Sequence, residues 1–173
     1  AELVALASIG TIADIMPLIG PNRSIAKYGL EAINKTKRVG LEALIHDAGL
    51  IKGELGTYDV SHRLAPRLNA MGRLEHALDA LRLLCTKKED KAHLLAEKLG
   101  LTNKERQKLT EDTVIHARNL WGQALKDQGQ TPSKKLIFIA HESYNQGVIG
   151  LVAGRLVEEY YRPTIVVSKG EEV

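Results

Sequence analysis

Three groups of residues in this sequence have types and spacings that could do chemistry. The first is Asp14, which closes an apolar stretch, ELVALASIGTIADIM, just ahead of Pro17. A carboxylate in the last turn of a helix opposes the helix dipole, at a cost of about 0.3–1 kcal/mol. Burial beside Ile9, Ile12, Ala13 and Ile15 costs more unless something compensates. A hard divalent metal ion is one compensator; Arg23 or Arg67 is another. The second group is Ala65-Pro66-Arg67-Leu68-Asn69-Ala70-Met71-Gly72-Arg73. Guanidinium forks at Arg67 and Arg73 match phosphate oxygens, Asn69 adds a neutral donor, and Gly72 lets the backbone approach closely or turn. The same residues also read as a helix end with two surface salt bridges. The third is Asn145-Gln146-Gly147-Val148-Ile149-Gly150. If a helix opens at Gly147, its free N–H groups suit an anion. Close packing of Gly147, Gly150 and Gly154 on a sheet is the alternative, and for Gly154 the better one. Neither the dinucleotide fingerprint nor the P-loop is present.

The elements that must hold these residues follow from periodicity. Helical spacing covers residues 2–16, and Asn22 can cap a second helix to about Lys35. A third helix runs from Gly40 to Ala48. Residues 58–71 are helical with an interruption at Pro66, and 76–85 form an amphipathic helix whose apolar side is Ala77, Leu78, Leu81, Leu84 and Cys85. A long helical stretch covers 88–127, with a break or kink expected at Gly100, where Thr102 and Glu105 match a capping box. DQGQTPSKK, residues 127–135, reads as a polar linker. A strand at 136–140, a helix from Gly147 to Tyr160 and a strand at 164–167 make a parallel βαβ unit.

Composition narrows the function classes. The net charge of +3 permits a polyanionic partner, while 4% aromatic residues leave little for a large base-stacking platform. Cys85 is the single cysteine, expected as a packed core residue. It excludes an internal disulfide and fits a reducing compartment, hence a cytoplasmic location. His46, His62, His76, His93, His116 and His141 are scattered without zinc spacing, and most are expected at surface or capping positions. No apolar run is long enough to span a membrane, and no secretory signal opens the sequence, which is expected to be an internal stretch of a longer protein.

Taken in order, these segments resemble the RecJ family of the DHH phosphoesterase superfamily. Leu3 to Leu6 through Gly10-Thr11-Ile12-Ala13-Asp14 is similar to the motif that follows its D-H-H triplet. Gly20 through Arg23 resembles its G-x-N-R element, Pro66 through Arg73 its P-R-L-N-A-x-G-R motif, and Asn103 through Gln107 its N-x-E-R-Q segment. Gly147 through Ala153, with Arg155-Leu156 and Arg162-Pro163, is similar to the opening of its DHHA1 domain. The resemblance implies an α/β protein. Residues 1–86 would be the mostly helical C-terminal part of a DHH domain, 87–134 a long helical connector, and 135–173 a truncated βαβ unit of DHHA1.

It also implies a parent protein that digests single-stranded DNA from 5′ to 3′. Asp14 would be a carboxylate ligand of a Mn2+ or Mg2+ pair, which polarises the scissile phosphate and lowers the pKa of an attacking water. Arg67, Asn69 and Arg73 would handle strand phosphates beside it, and Asn145, Gly147 and Gly150 would face the strand from the second domain. The family's D-x-D-G and D-H-H motifs do not occur here, so this stretch alone is expected to be inactive. Tyr144-Asn145 stands where the family usually shows Trp-His. A phosphodiesterase for oligonucleotides or cyclic dinucleotides, and a non-catalytic nucleic-acid-binding relative, are the alternatives. An exposed sheet edge makes self-association an expected property.

Overall fold

The computed structural model describes residues 2–126 and 135–170, so all but the last residue of the expected linker lies outside the described residues. By contacts the chain divides into two compact units, Ala1–Asn103 and Lys104–Val173.

The first unit is helical. Helix α1 (Glu2–Ala13) packs chiefly against α2 (Gly20–Asn34), followed by α3 (Val39–Asp47). A single turn, α4 (Thr57–Asp59), runs through a π-helical turn (Val60–Leu64) into α5 (Ala65–Leu74), and Pro66 falls where that wider turn gives way to α5. The interruption expected at Pro66 is therefore the π-helical turn ahead of it. Then come α6 (Leu78–Cys85) and the first part of α7 (Glu89–Lys126). Leu41, Leu44, Leu64, Met71, Leu83 and Leu99 are fully buried in one cluster. Two glycines permit the closest helix contacts. A Cβ on Gly29 would overlap Ser8 and approach the Val4 carbonyl oxygen at 2.7 Å, and one on Gly40 would overlap the Leu83 carbonyl.

The second unit holds the rest of α7, strand β1 (Ile137–His141), helix α8 (Ile149–Tyr160) and strand β2 (Thr164–Ser168). The strands pair in parallel, Ile137 opposite Thr164 through His141 opposite Ser168. Ile137, Ile139 and Val166 share a core with Val152 and Leu156 of α8 and with Val114, Ala117 and Trp121 of α7. The α/β class expected from the sequence is observed.

Four local expectations are corrected. Asn22 does not cap α2: the N-cap is Ile19, Pro21 occupies the first turn, and the Asn22 amide donates to the Pro17 carbonyl at 3.1 Å. Helix α7 passes Gly100 without a break. Gly100 is there because a Cβ would overlap the Asp47 carboxylate, so packing, not termination, explains it. Helix α8 begins at Ile149 with Val148 as N-cap, later than Gly147. Cys85 is exposed, not core. Helix α6 buries Ala80 and Leu83, leaving Leu78 and Leu81 exposed, because its contact with α3 at Gly40 selects the Leu83 side.

Lys98 of α7 ties the start of α6 down, donating to Asp79 at 2.8 Å and pairing with Glu75 at 3.3 Å, while Arg82 also donates to Asp79 at 2.8 Å. The Lys98 hydrogen bond, aided by Arg82, holds the Asp79 carboxyl below its usual range, and Asp79 holds Lys98 above the lysine range. A lowered carboxyl contributes stability above its unfolded value, near 3.8, and loses it as pH falls through the folded value. A raised lysine contributes below its unfolded value, near 10.5, and loses that as pH rises through the folded one. Lys98→Ala is therefore expected to lower the urea midpoint at neutral pH. The gap to the unmodified protein should close as pH falls from about 3.8 toward the folded value of Asp79. A gap unchanged under acid would show that Lys98 acts by packing alone.

Candidate functional site

Helix α1 ends at Ala13, and Asp14 occupies the turn that follows, exposed. The amide of Ile15 bonds the Ile12 carbonyl at 3.2 Å, and that of Met16 reaches back to Thr11 at 3.1 Å. This is a Schellman-type end, whose left-handed residue is usually glycine. Here it is Ile15, at φ +51°. A β-branched residue in that region costs about 1–3 kcal/mol, and such strain gathers at functional turns. Asp14 thus points to solvent from a strained turn, with Ile9 and Ile12 buried beneath it. Its neighbours Ala13 and Ile15, with Met16, face Thr57, Ser61 and His62 across a hollow of about 350 Å³. The His62 ring stacks on Tyr58 at 4.3 Å between centroids. π-helical turns recur at functional sites, and this one borders the Asp14 turn.

On α5, Asn69 and Arg73 stand four residues apart and share one exposed face. Arg67 turns away from them. Its Nε donates to Asp47 Oδ2 at 3.1 Å, Nη2 to the Asp47 carbonyl at 3.5 Å and Nη1 to the Arg63 carbonyl at 2.7 Å. Its side chain is only 16% exposed. So Arg67 fastens α5 to the end of α3, and Asp47 is the residue that sequence reasoning missed. A signal for it existed. Asp47 closes α3 just as Asp14 follows α1, opposing the helix dipole, and a cation had to answer it.

In the second unit, Gly147 N–H donates to the Asn145 carboxamide oxygen at 2.7 Å, closing a turn ahead of α8, while Asn145 and Gly150 are exposed. That amide is engaged by its own turn, so an anion there would meet other donors. Tyr144 is buried, and its hydroxyl lies 3.0 Å from His116 Nδ1. Burial pushes the Tyr144 phenol above its usual value. His116 and His141 meet edge to face at 4.7 Å and are half-buried, while His46, His62, His76 and His93 are exposed as expected of most of the histidines. Tyr144 acts here as a core anchor.

Metal fit is limited. Asp14 offers one hard oxygen, and among the described residues no group of three or more His, Cys, Asp or Glu side chains could hold an ion. The described residues do not by themselves form a metal centre. Among the described residues no helix is long and apolar enough to cross a membrane.

The fold is that of an α/β protein segment in which a helical unit leads through one long helix to a parallel βαβ unit. No family model matches the chain. It is 43% identical over 171 residues to the single-stranded-DNA-specific exonuclease RecJ of Bacillus subtilis, covering 99% of this chain and 21% of that protein. Identity is 38% with RecJ of Thermus thermophilus, over 98% of this chain and 24% of that protein. With RecJ of Escherichia coli it is 32%, over 95% and 28%. The crystal structure of Thermus thermophilus RecJ in complex with Mg2+ superposes with a TM-score of 0.84 at 38% identity, covering 98% of this chain and 26% of that one. A RecJ structure bound to manganese gives a TM-score of 0.82 at 37% identity. Sequence and fold agree: over nearly its whole length the chain corresponds to a segment of RecJ-family proteins. It spans about a fifth to three tenths of the curated relatives it matches.

Proposed function

We infer that this chain is part of a metal-dependent exonuclease that hydrolyses single-stranded DNA from the 5′ end. The observation that carries the inference is the joint match in sequence and fold to RecJ structures that hold Mg2+ or Mn2+. Asp14 supplies one carboxylate to a metal pair whose other ligands lie outside this sequence. Asn69 and Arg73 present donors to strand phosphates from the exposed face of α5, and Arg67, held by Asp47, keeps that helix in place. Asn145, Gly147 and Gly150 line the strand's path on the second unit. Residues 1–86 belong to the catalytic domain, 87–134 to a connector and 135–173 to an accessory domain. The isolated chain, which carries neither D-x-D-G nor D-H-H, is inactive.

The test is metal removal. A protein containing this segment, given a 5′-phosphorylated single-stranded oligonucleotide and Mn2+, is expected to release nucleotides from the 5′ end. It should stop in EDTA and resume when Mn2+ is restored. Digestion that continues in EDTA, or a preference for dinucleotides over long strands, would overturn the inference.

A further inference from the structure

On the first unit, two neighbouring hollows share Glu2 and Lys37. One, of about 380 Å³, is lined by Tyr28, Glu31, Lys35 and Lys37 among others. The second, of about 250 Å³, is lined by Lys37, Arg38 and Lys87. Four cations, Lys35, Lys37, Arg38 and Lys87, meet two carboxylates, Glu2 and Glu31, which leaves +2 on this surface out of a net +3 for the whole chain. The aromatic ring in the first hollow, Tyr28, is 57% exposed, with Lys27 Nζ 5.4 Å from its centroid.

Cations beyond the end of α2 would be expected simply to answer its dipole. That accounts for Lys35. It does not account for Lys87, which comes from the connection between α6 and α7, nor for Arg38. Nε of Arg38 is buried without a hydrogen-bond partner among the described residues, and its one ion pair, with Glu2, is at 3.4 Å. A buried unused donor costs about 1–3 kcal/mol, so Arg38 is not placed there to satisfy the fold's own hydrogen bonds, and it lines the second hollow. A ligand that fills both hollows must carry repeated negative charge together with flat rings free to stack. Single-stranded nucleic acid has both, whereas a duplex keeps its bases stacked inside.

We propose that Tyr28, Lys35, Lys37, Arg38 and Lys87 form a second binding surface for single-stranded nucleic acid. The phosphate chain runs past the cations and one base stacks on Tyr28. The surface rests on the nuclease reading and lies away from Asp14. Glu2 opens α1 and Asp14 follows its end, so the two are separated by the length of that helix, about 18 Å. The surface holds the strand while the exposed turn at Asp14 meets another part of it.

The experiment is fluorescence anisotropy of a labelled oligothymidine bound to the protein across a salt series in EDTA, where no cleavage occurs. Lys37→Gln/Lys87→Gln is expected to weaken binding roughly tenfold and to flatten the plot of log affinity against log salt by about 1.4, two phosphate contacts at about 0.7 each. Tyr28→Ala should also weaken binding roughly tenfold while leaving that slope unchanged. Lys104→Gln/Lys108→Gln removes the same charge from α7 and serves as the control. If the first pair behaves like that control, this surface is wrong and the nuclease reading stands. If the unmodified protein binds no oligothymidine at any salt, the surface and the strand-handling role in that reading fail together.

Discussion

Gly40→Ala is expected to destabilise the first unit by about 3 kcal/mol, at the upper end of what overpacking a core costs. Gly40 sits in the first turn of α3, fully covered by α6, and an added Cβ would overlap the backbone carbonyl oxygen of Leu83, with the carbonyl carbon 2.8 Å away. A side chain can rotate out of such an overlap, whereas a backbone carbonyl moves only with the chain that carries it. The whole of α6 must therefore shift, taking the fully buried Leu83 with it. Gly10→Ala is the matched contrast. It lies within α1 with nothing within 4 Å of the new atom, so helix propensity alone should act and stabilise by up to about 1 kcal/mol. Urea unfolding of the two variants should give midpoints on opposite sides of the unmodified protein with similar slopes. Equal midpoints would show that α3 and α6 are not in close contact.

Those two glycines also mark where a sequence ceases to be readable. Periodicity located α1, α2, α3, α6, α7, α8 and both strands to within a few residues, because each buries one face whose spacing is set by local geometry. What a third element does to that face is not local. Helix α6 carries leucines on more than one side, and the choice of Leu83 over Leu78 and Leu81 is made by Gly40 on another helix. Gly100 looked like a stop because glycine usually is one, yet it clears space for Asp47. The candidate site divides in the same way. Asp14 was legible as an acid at the wrong end of a helix, whereas the face shared by Asn69 and Arg73 emerged only with α5 in place. Arg67 looked equivalent to Arg73, but Asp47, 20 residues away, claims it.

Asp14 carries the larger expected effect on function, and its variants should move activity and stability in opposite directions. Asp14→Asn keeps size and polarity and removes the charge; Asp14→Ala removes both. The side chain is exposed and follows a helix C-terminus, where a negative charge is unfavourable by about 0.3–1 kcal/mol. Either substitution should therefore leave the melting temperature unchanged or raise it slightly. If Asp14 is the metal ligand inferred above, either should also remove several kcal/mol of transition-state stabilisation. At about 1.4 kcal/mol per factor of ten, that is a loss of roughly a thousandfold in Mn2+-supported digestion of a 5′-phosphorylated single strand. An acid serving only the fold would lower both quantities together, and an idle surface acid would lower neither. The strained Ile15 beside it offers a further check. Ile15→Gly relieves the left-handed conformation and should raise stability by about 1 kcal/mol. If the strain helps hold the Asp14 carboxylate in place, that gain will come with reduced digestion. Unchanged digestion in Ile15→Gly would separate the turn's geometry from the role of Asp14, and near-normal digestion by Asp14→Ala would remove Asp14 from the site altogether.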